Sequence, residues 1–214
     1  EAFFVEEKGF FMKRIITVTI LLIFLLTACG SGYDNASVDI PSTWAAYSID
    51  TLSFRFEAGY QSESWDVLQT DMDTRVSVLG TSNQLALFGR LISPASAKGT
   101  VNYIDFGYWD TGRALEPTEL EGIMETLNNL SSPLLQLSVS SSQLQSSRIR
   151  TYGAVTALTT AFTVETEDLS CVLQAALVPH GSRVYLISYA DFSTGADNDM
   201  LEGLLSTLQF SEGV

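Results

Sequence analysis

Two groups of carboxylates, one histidine and two cysteines are the side chains of this sequence whose types and spacing could support chemistry. Asp71 and Asp73, with Asp66 close by, form one acidic group; Asp191, Asp197 and Asp199 form the other. A hard cation such as calcium takes six or more oxygen ligands, and neither group has the glycine-containing loop spacing of a helix–loop–helix calcium site. A polar turn accounts for the first group. Capping accounts for the second, because carboxylates at the start of a helix accept from its free N–H groups and meet the positive end of its dipole. No metal ligand is therefore assigned. His180 stands in Pro179-His180-Gly181, a turn sequence, and reads as a surface turn residue rather than a general base. The sequence holds no nucleophile elbow, zinc-protease helix, paired-cysteine motif, dinucleotide fingerprint or phosphate-binding loop. No catalytic residue and no cofactor are assigned, and the chain reads as a non-enzyme.

The charge balance narrows the partners. The 214 residues carry 25 acidic and 11 basic side chains, a formal net charge of −14. Residues 1–28 hold three of each sign, so the whole of that charge lies from Cys29 onward, where Lys98 is the one lysine. Such a surface repels phosphate backbones and anionic head groups, which argues against nucleic acid and against electrostatic docking to a membrane. Cations or basic partners complement it; an acidic surface serving solubility needs no partner at all.

The cysteines have unlike surroundings. Cys171 lies in the strand-like run Ser170-Cys171-Val172-Leu173 and reads as a small buried apolar side chain. Cys29 follows a different pattern: Met12, the basic pair Lys13-Arg14, a mainly apolar run from Ile15 to Leu26, then Thr27-Ala28-Cys29. That run is too short to span a bilayer comfortably, and its order is that of a leader peptide. Leu26-Thr27-Ala28-Cys29 resembles the lipobox of bacterial lipoproteins. The resemblance implies a signal peptide over residues 12–28, cleavage between Ala28 and Cys29, and a diacylglycerol on Cys29. An ordinary secretory leader or an uncleaved anchor is the alternative. Residues 1–11 fit no targeting pattern and are read as upstream artefact or cloning remnant; Glu6-Glu7-Lys8-Gly9 matches purine-rich codons of a ribosome-binding site. The expected location is the cell membrane, lipid-anchored, on the extracytoplasmic face. Residues 29–42 are small and polar, which predicts a flexible tether.

Residues 43–214 are expected to form one domain that positions everything else. Trp44 to Asp50, Leu52 to Glu57, Trp65 to Gln69, Arg75 to Leu79 and Val101 to Trp109 read as strands; Gln84 to Ile92 fits helix or strand, and Ser93 to Thr100 a loop. A helix is predicted from Pro117, with Thr118 and Glu121 as a capping box and Leu120, Ile123, Met124 and Leu127 on one face. A second runs from about Asp197 to Leu208, with Phe210 plugging the core behind it. Tyr152 to Glu165, Ser170 to Pro179 and Arg183 to Tyr189 are strands joined by short turns, hence an antiparallel meander. Val172 to Val178 and Val184 to Ile187 are apolar at both parities, so both faces of the sheet must be covered. The fold class read from this is α+β, an α/β/α sandwich around an antiparallel sheet.

The Leu52–Phe56 strand, the Trp65-Asp66-Val67 step, a middle helix, the meander and the closing Gly181-x-x-Val184-Tyr185-x-Ile187 strand with its helix and Phe210 resemble the PsbP-like superfamily of Mog, PsbP and DcrB-type domains. The familiar Pro-x-x-Trp after the first strand pair is missing; Gly59-Tyr60 stands near its place. The resemblance implies a PsbP-like fold and a non-enzymatic adaptor or assembly role, and carries no functional residue across. Among the aromatics of Val101 to Trp109, strand parity puts some in the core; Tyr103, Tyr108 and Trp109 are the candidate surface for a partner or ligand. The expected function is a membrane-anchored binding or assembly module for a protein partner. A carrier or sensor of a hydrophobic ligand and an unrecognised enzyme are the alternatives. Cys29→Ala should abolish acyl labelling and release the chain from the membrane fraction or stall its maturation; unchanged attachment would exclude the lipid anchor.

Overall fold

The computed structural model describes residues 33–63, 75–78, 81–96, 100–123, 135, 138–192 and 199–211. From Asp34 onward they belong to one compact unit. The unit opens with a hairpin, β1 (Ala45–Ile49) and β2 (Leu52–Phe56), closed by Asp50-Thr51. Asp50 adopts a φ of 50°, a left-handed conformation that Asp tolerates better than most residues. Then follow β3 (Gln61–Glu63), β4 (Arg75–Val78), β5 (Thr81–Gln84), β6 (Ala86–Ile92) and β7 (Tyr103–Asp110). A 3-10 helix (Pro117–Ile123) precedes the long strands β8 (Val139–Tyr152), β9 (Val155–Thr166), β10 (Ser170–His180) and β11 (Arg183–Asp191). The α-helix α1 (Asp199–Thr207) and the two-residue β12 (Gln209–Phe210) end the described fold.

Seven strands form one antiparallel sheet in the order β3-β6-β7-β11-β10-β9-β8. β1, β2 and β12 form a second sheet, and β4 pairs with β5 alone. Side chains of the large sheet alternate between two cores. Trp109, Leu158, Phe162, Leu173, Leu177 and Leu186 point into the first, which the 3-10 helix residues Leu120 and Ile123 and the buried Leu135 close. Ile104, Phe106, Ala176, Val178 and Ile187 point into the second, closed by Leu52, Phe54 and Phe56 of β2 and by Leu201, Leu204 and Leu205 of α1. This is why β10 and β11 are apolar at both parities: each residue faces one core or the other. Gly203 of α1 is part of the fit, since a Cβ there would stand 2.5 Å from the Trp44 ring.

The antiparallel meander and the two-sided burial agree with the expectation from the sequence. Among the described residues the nine-residue α1 covers the second core together with a small sheet, and the seven-residue 3-10 helix with the helical Leu135 covers the first. The described fold is β-rich. The predicted capping box is displaced: the Glu119 carboxylate accepts from the Glu116 N–H at 2.9 Å and from Arg113 Nη2 at 2.6 Å, so the box spans 116–119 and not 118–121. The predicted strand at Trp65 to Gln69, the Asp71-Met72-Asp73 turn, Met124, Leu127 and residues 1–32 lie outside the described residues. Gln84 to Ile92 resolves as strand, and the start expected for α1 at Asp197 precedes the described Asp199.

Two further differences come from the strand edges. β8 was not expected, because Val139-Ser-Ser-Ser-Gln-Leu-Gln-Ser-Ser-Arg is polar; as the outermost strand it buries little and needs few apolar positions. Part of the segment expected to be a flexible tether is docked. Ala36 N–H donates to Thr151 O at 2.9 Å, Thr151 N–H donates to Asp34 O at 3.1 Å, and Ala36 and Ile40 pack on the second core. The β8–β9 turn is fixed against α1: Gly153 has a φ of 56°, and a Cβ there would meet Ser206 O at 2.5 Å.

A buried ion pair ties β6 to β7. Arg90 and Asp105 are register partners, 5% and 0% exposed, with Arg90 Nε 2.6 Å from Asp105 Oδ1 and Nη2 2.9 Å from Oδ2. The guanidinium also lies 4.2 Å from the centre of the Tyr103 ring. Asp105→Ala would leave a buried guanidinium without its carboxylate and should cost about 3–5 kcal/mol, whereas replacing both residues by apolar ones should recover most of that. Urea unfolding of the two variants distinguishes these outcomes.

Candidate functional site

The β8–β9 and β10–β11 turns, the segment after β7 and strand β12 meet at one end of the large sheet. There a groove of about 710 Å3 is lined by Leu115 and Pro117, by Ala154 to Thr156, by Pro179-His180 and by Leu208 to Phe210. The turn sequences place these residues: the two-residue loop Gly181-Ser182 sets His180 opposite Arg183. β12 then pairs with β2 and carries Phe210 across the sheet end.

Phe210 and His180 stack face to face, with centroids 3.9 Å apart and planes 3° from parallel. Tyr185 lies 5.0 Å from Phe210 and Tyr108 5.9 Å from Tyr185. Phe88 extends the row, 6.0 Å from Tyr108. The Arg183 guanidinium sits 4.1 Å from the Tyr108 ring centre; its hydrogen bond to Tyr185 raises its pKa further above the usual arginine value. His180 is exposed, Phe210, Tyr108 and Phe88 are half-buried, and Tyr185 is buried beneath them. Half-buried rings with a guanidinium and an exposed imidazole beside them make a surface suited to apolar, aromatic or cationic side chains. In the 3-10 helix the Glu119 carboxyl is held at about 2 by its hydrogen bond from Arg113 and then by the Glu116 N–H, so the segment leading into that helix stays stapled at neutral pH.

The sequence had singled out Tyr103, Tyr108 and Trp109. Trp109 is fully buried and Tyr103 8% exposed, both in the first core, so neither presents a ring to a partner. Tyr108 alone of the three reaches the surface. His180 is exposed as expected, at the end of β10 beside the Gly181-Ser182 turn, and Phe210 is half-buried and packs against the second core. Phe88, Arg183, Tyr185 and the His180–Phe210 stack were not identified from the sequence. Their contacts join residues far apart in the chain, and the alternation of apolar residues carries no trace of them. Asp191 is buried in β11 and Asp199 opens α1; Asp66, Asp71, Asp73 and Asp197 lie outside the described residues, as do Ala28 and Cys29. Among the described residues no three His, Cys, Asp or Glu side chains group as a metal site. No helix of the described residues is long and apolar enough to cross a membrane.

The interior offers far less space. Between α1 and the β8–β10 half of the sheet, Arg148, Thr159, Gln174 and Glu202 line a cavity of about 20 Å3, room for about one water molecule. At the opposite end of the sheet, beside the buried Asp191, burial disfavours ionisation of two tyrosines and a thiol. Burial pushes Tyr60 up to about 12 and Tyr189, its hydrogen-bond partner, higher still. Burial likewise raises the free Cys171 thiol to about 11, so it is a packed side chain and not a ready thiolate.

The sheet order, the two cores and the terminal helix define a PsbP-like fold. The chain is similar to the solution structure of a cyanobacterial PsbP, CyanoP, from Synechocystis sp. PCC 6803, with a TM-score of 0.53 and 11% identity over 82% of this chain and 97% of that one. A crystal structure from Bacteroides thetaiotaomicron gives a TM-score of 0.42 at 10% identity, covering 76% of this chain and 46% of that one. A protein of unknown function from Pseudomonas aeruginosa gives 0.37 at 10% identity, covering 70% and 83%. The chain thus spans about half the length of the Bacteroides protein. No protein-family model matches the chain, and no curated protein matches it.

The tyrosines give a pH dependence. Between the ordinary tyrosine value of 10.0 and about 12, folded Tyr60 keeps a proton that the unfolded chain has released. Stability from this group is complete below pH 10 and falls as pH rises through about 12. Urea midpoints measured from pH 9 to 12 should decline, and Tyr60→Phe should flatten part of that decline.

Proposed function

We propose that the chain is a lipid-anchored, extracytoplasmic module that binds a protein partner and catalyses no reaction. The sheet-end groove with its His180–Phe210 stack is the observation that carries the binding role. It is open, large enough for several side chains, and combines apolar walls with exposed polar edges at His180 and Gln209. Sites that hold partner anchors have this make-up, an apolar or aromatic centre inside a polar rim. The PsbP-like fold supports a compact scaffold presenting such a surface from its loops. Attachment through Cys29 rests on the lipobox resemblance of Leu26 to Cys29. Two or three acyl chains add about 0.8 kcal/mol per buried methylene and hold a domain at the membrane without a basic patch, which suits a chain of net charge −14.

A hydrophobic-ligand carrier is the second reading, favoured by the groove volume, which falls in the range of small-molecule sites. Against it, the cavity between the sheet and α1 holds only about 20 Å3, and the groove is open to solvent. A photo-crosslinking residue placed at Gln209 should capture a protein in the native cell, while the same probe at Asp168, on the far end of the sheet, should not. Capture that Phe210→Ala abolishes supports the reading. Recovery of a lipid and no protein would favour the carrier instead.

A further inference from the structure

Strand β8 carries a second feature, away from the groove. It is the outermost strand of the large sheet, fourteen residues long, and pairs along one side with β9. At its end an extended segment already adds to the other side, with Asn35 opposite Thr151 in parallel and both backbone groups of Thr151 bonded to Asp34 and Ala36. Those groups therefore point away from β9. Direction repeats every second residue along a strand, so Ile149 and Ser147 also turn their N–H and C=O outward. Arg148, between them, turns its carbonyl to β9, where Thr159 Oγ1 donates to it at 3.4 Å. Among the described residues no backbone group bonds to the outward side of Ser147 or Ile149. An uncovered edge of this kind is a template for another strand.

The side chains specify what such a strand would carry. On the α1 face stand Arg148, exposed, and Arg150, whose Nη1 is 3.9 Å from Glu202 Oε2. On the opposite face stand Leu144, 45% exposed, and Ile149, half-buried against the first core. Side chains directly opposite across an antiparallel pair approach to about 4.5–5.5 Å. We infer that the outer edge of β8 from Leu144 to Arg150 accepts an extended segment of a partner protein by strand addition, the segment alternating carboxylate with apolar side chains. Its carboxylates lie beside Arg148 and Arg150, its apolar side chains beside Leu144 and Ile149. The net charge of −14 repels an acidic partner at a distance, but screening over about 8 Å at physiological salt leaves contact to the two arginines. The same arginines discourage a basic strand, since like charges directly opposite are destabilising. The binding module reading supplies the role, but the surface is separate from the groove, and either can fail alone.

The probe is a short fluorescent peptide alternating Glu with Val or Thr, titrated into the protein and followed by anisotropy, against the same peptide with Lys in place of Glu. The Glu peptide should bind saturably and the Lys peptide at least about tenfold more weakly. Arg148→Glu with Arg150→Glu should reverse that order. Ser147→Pro removes an outward N–H that β9 does not use, so it should weaken the Glu peptide at least about tenfold while far-ultraviolet circular dichroism stays unchanged. Equal binding of the two peptides, binding of neither, or full binding by Ser147→Pro would overturn the inference. Dimerisation of the protein alone that Ser147→Pro abolishes would overturn it too, assigning the edge to a second copy. Loss of crosslinking at Gln209 with peptide binding intact would refute the groove and spare the edge.

Discussion

The fold depends on a sheet whose central strands have no solvent-facing side. β10 and β11 are apolar at both parities, and burial of one aliphatic side chain contributes about 1.5–3 kcal/mol, so exposing either face would forfeit much of the stability of a small domain. Every other element answers that requirement. β2, α1 and β12 close one face; the 3-10 helix and the buried Leu135 close the other. The polar groups that cross the sheet must then be satisfied within it. The Arg90–Asp105 pair does this with two hydrogen bonds and a stacked Tyr103.

With both faces filled, the surfaces left for recognition are the ends and edges of the sheet. The groove occupies one end, where four separate segments meet, and β8 occupies one edge. These are the places where backbone turns and unpaired strand sides expose groups that the cores cannot use. The aromatic row from Phe88 to His180 shows the transition within a few residues. Tyr185 is buried, while Tyr108 and Phe210 beside it are half-buried.

The meander was readable in the sequence because its signal is strong and local: long apolar runs, short turns, and glycine at Gly181 where positive φ is needed; the turn at Gly153, inside the strand expected from Tyr152 to Glu165, was not read. The stripe of Met200, Leu201, Leu204, Leu205 and Leu208 was equally plain; the four leucines are buried and Met200 is half-buried against the second core. What the sequence hid were features set by neighbours in space. An edge strand such as β8 has no apolar alternation to display. The identity of a covering layer is also concealed, since a face needs apolar cover and a hairpin such as β1–β2 supplies it as well as a helix. The aromatic set failed as a surface predictor for the same reason: on a sheet covered on both sides, parity separates two cores rather than inside from outside. Only Tyr108, near the end of its strand, escapes.

The docked segment at Asp34 to Ala36 changes how a load would enter the molecule. A pull on the chain ahead of Asp34 reaches the sheet at Thr151, through two backbone hydrogen bonds of 2.9 and 3.1 Å, before it reaches β1. Those two bonds share the load with Ala36 and Ile40, which pack on the second core. Force entering at Asp34 is therefore borne both by the rim of the seven-stranded sheet and by the residues that roof that core, and parting of the two bonds frees the end of β8.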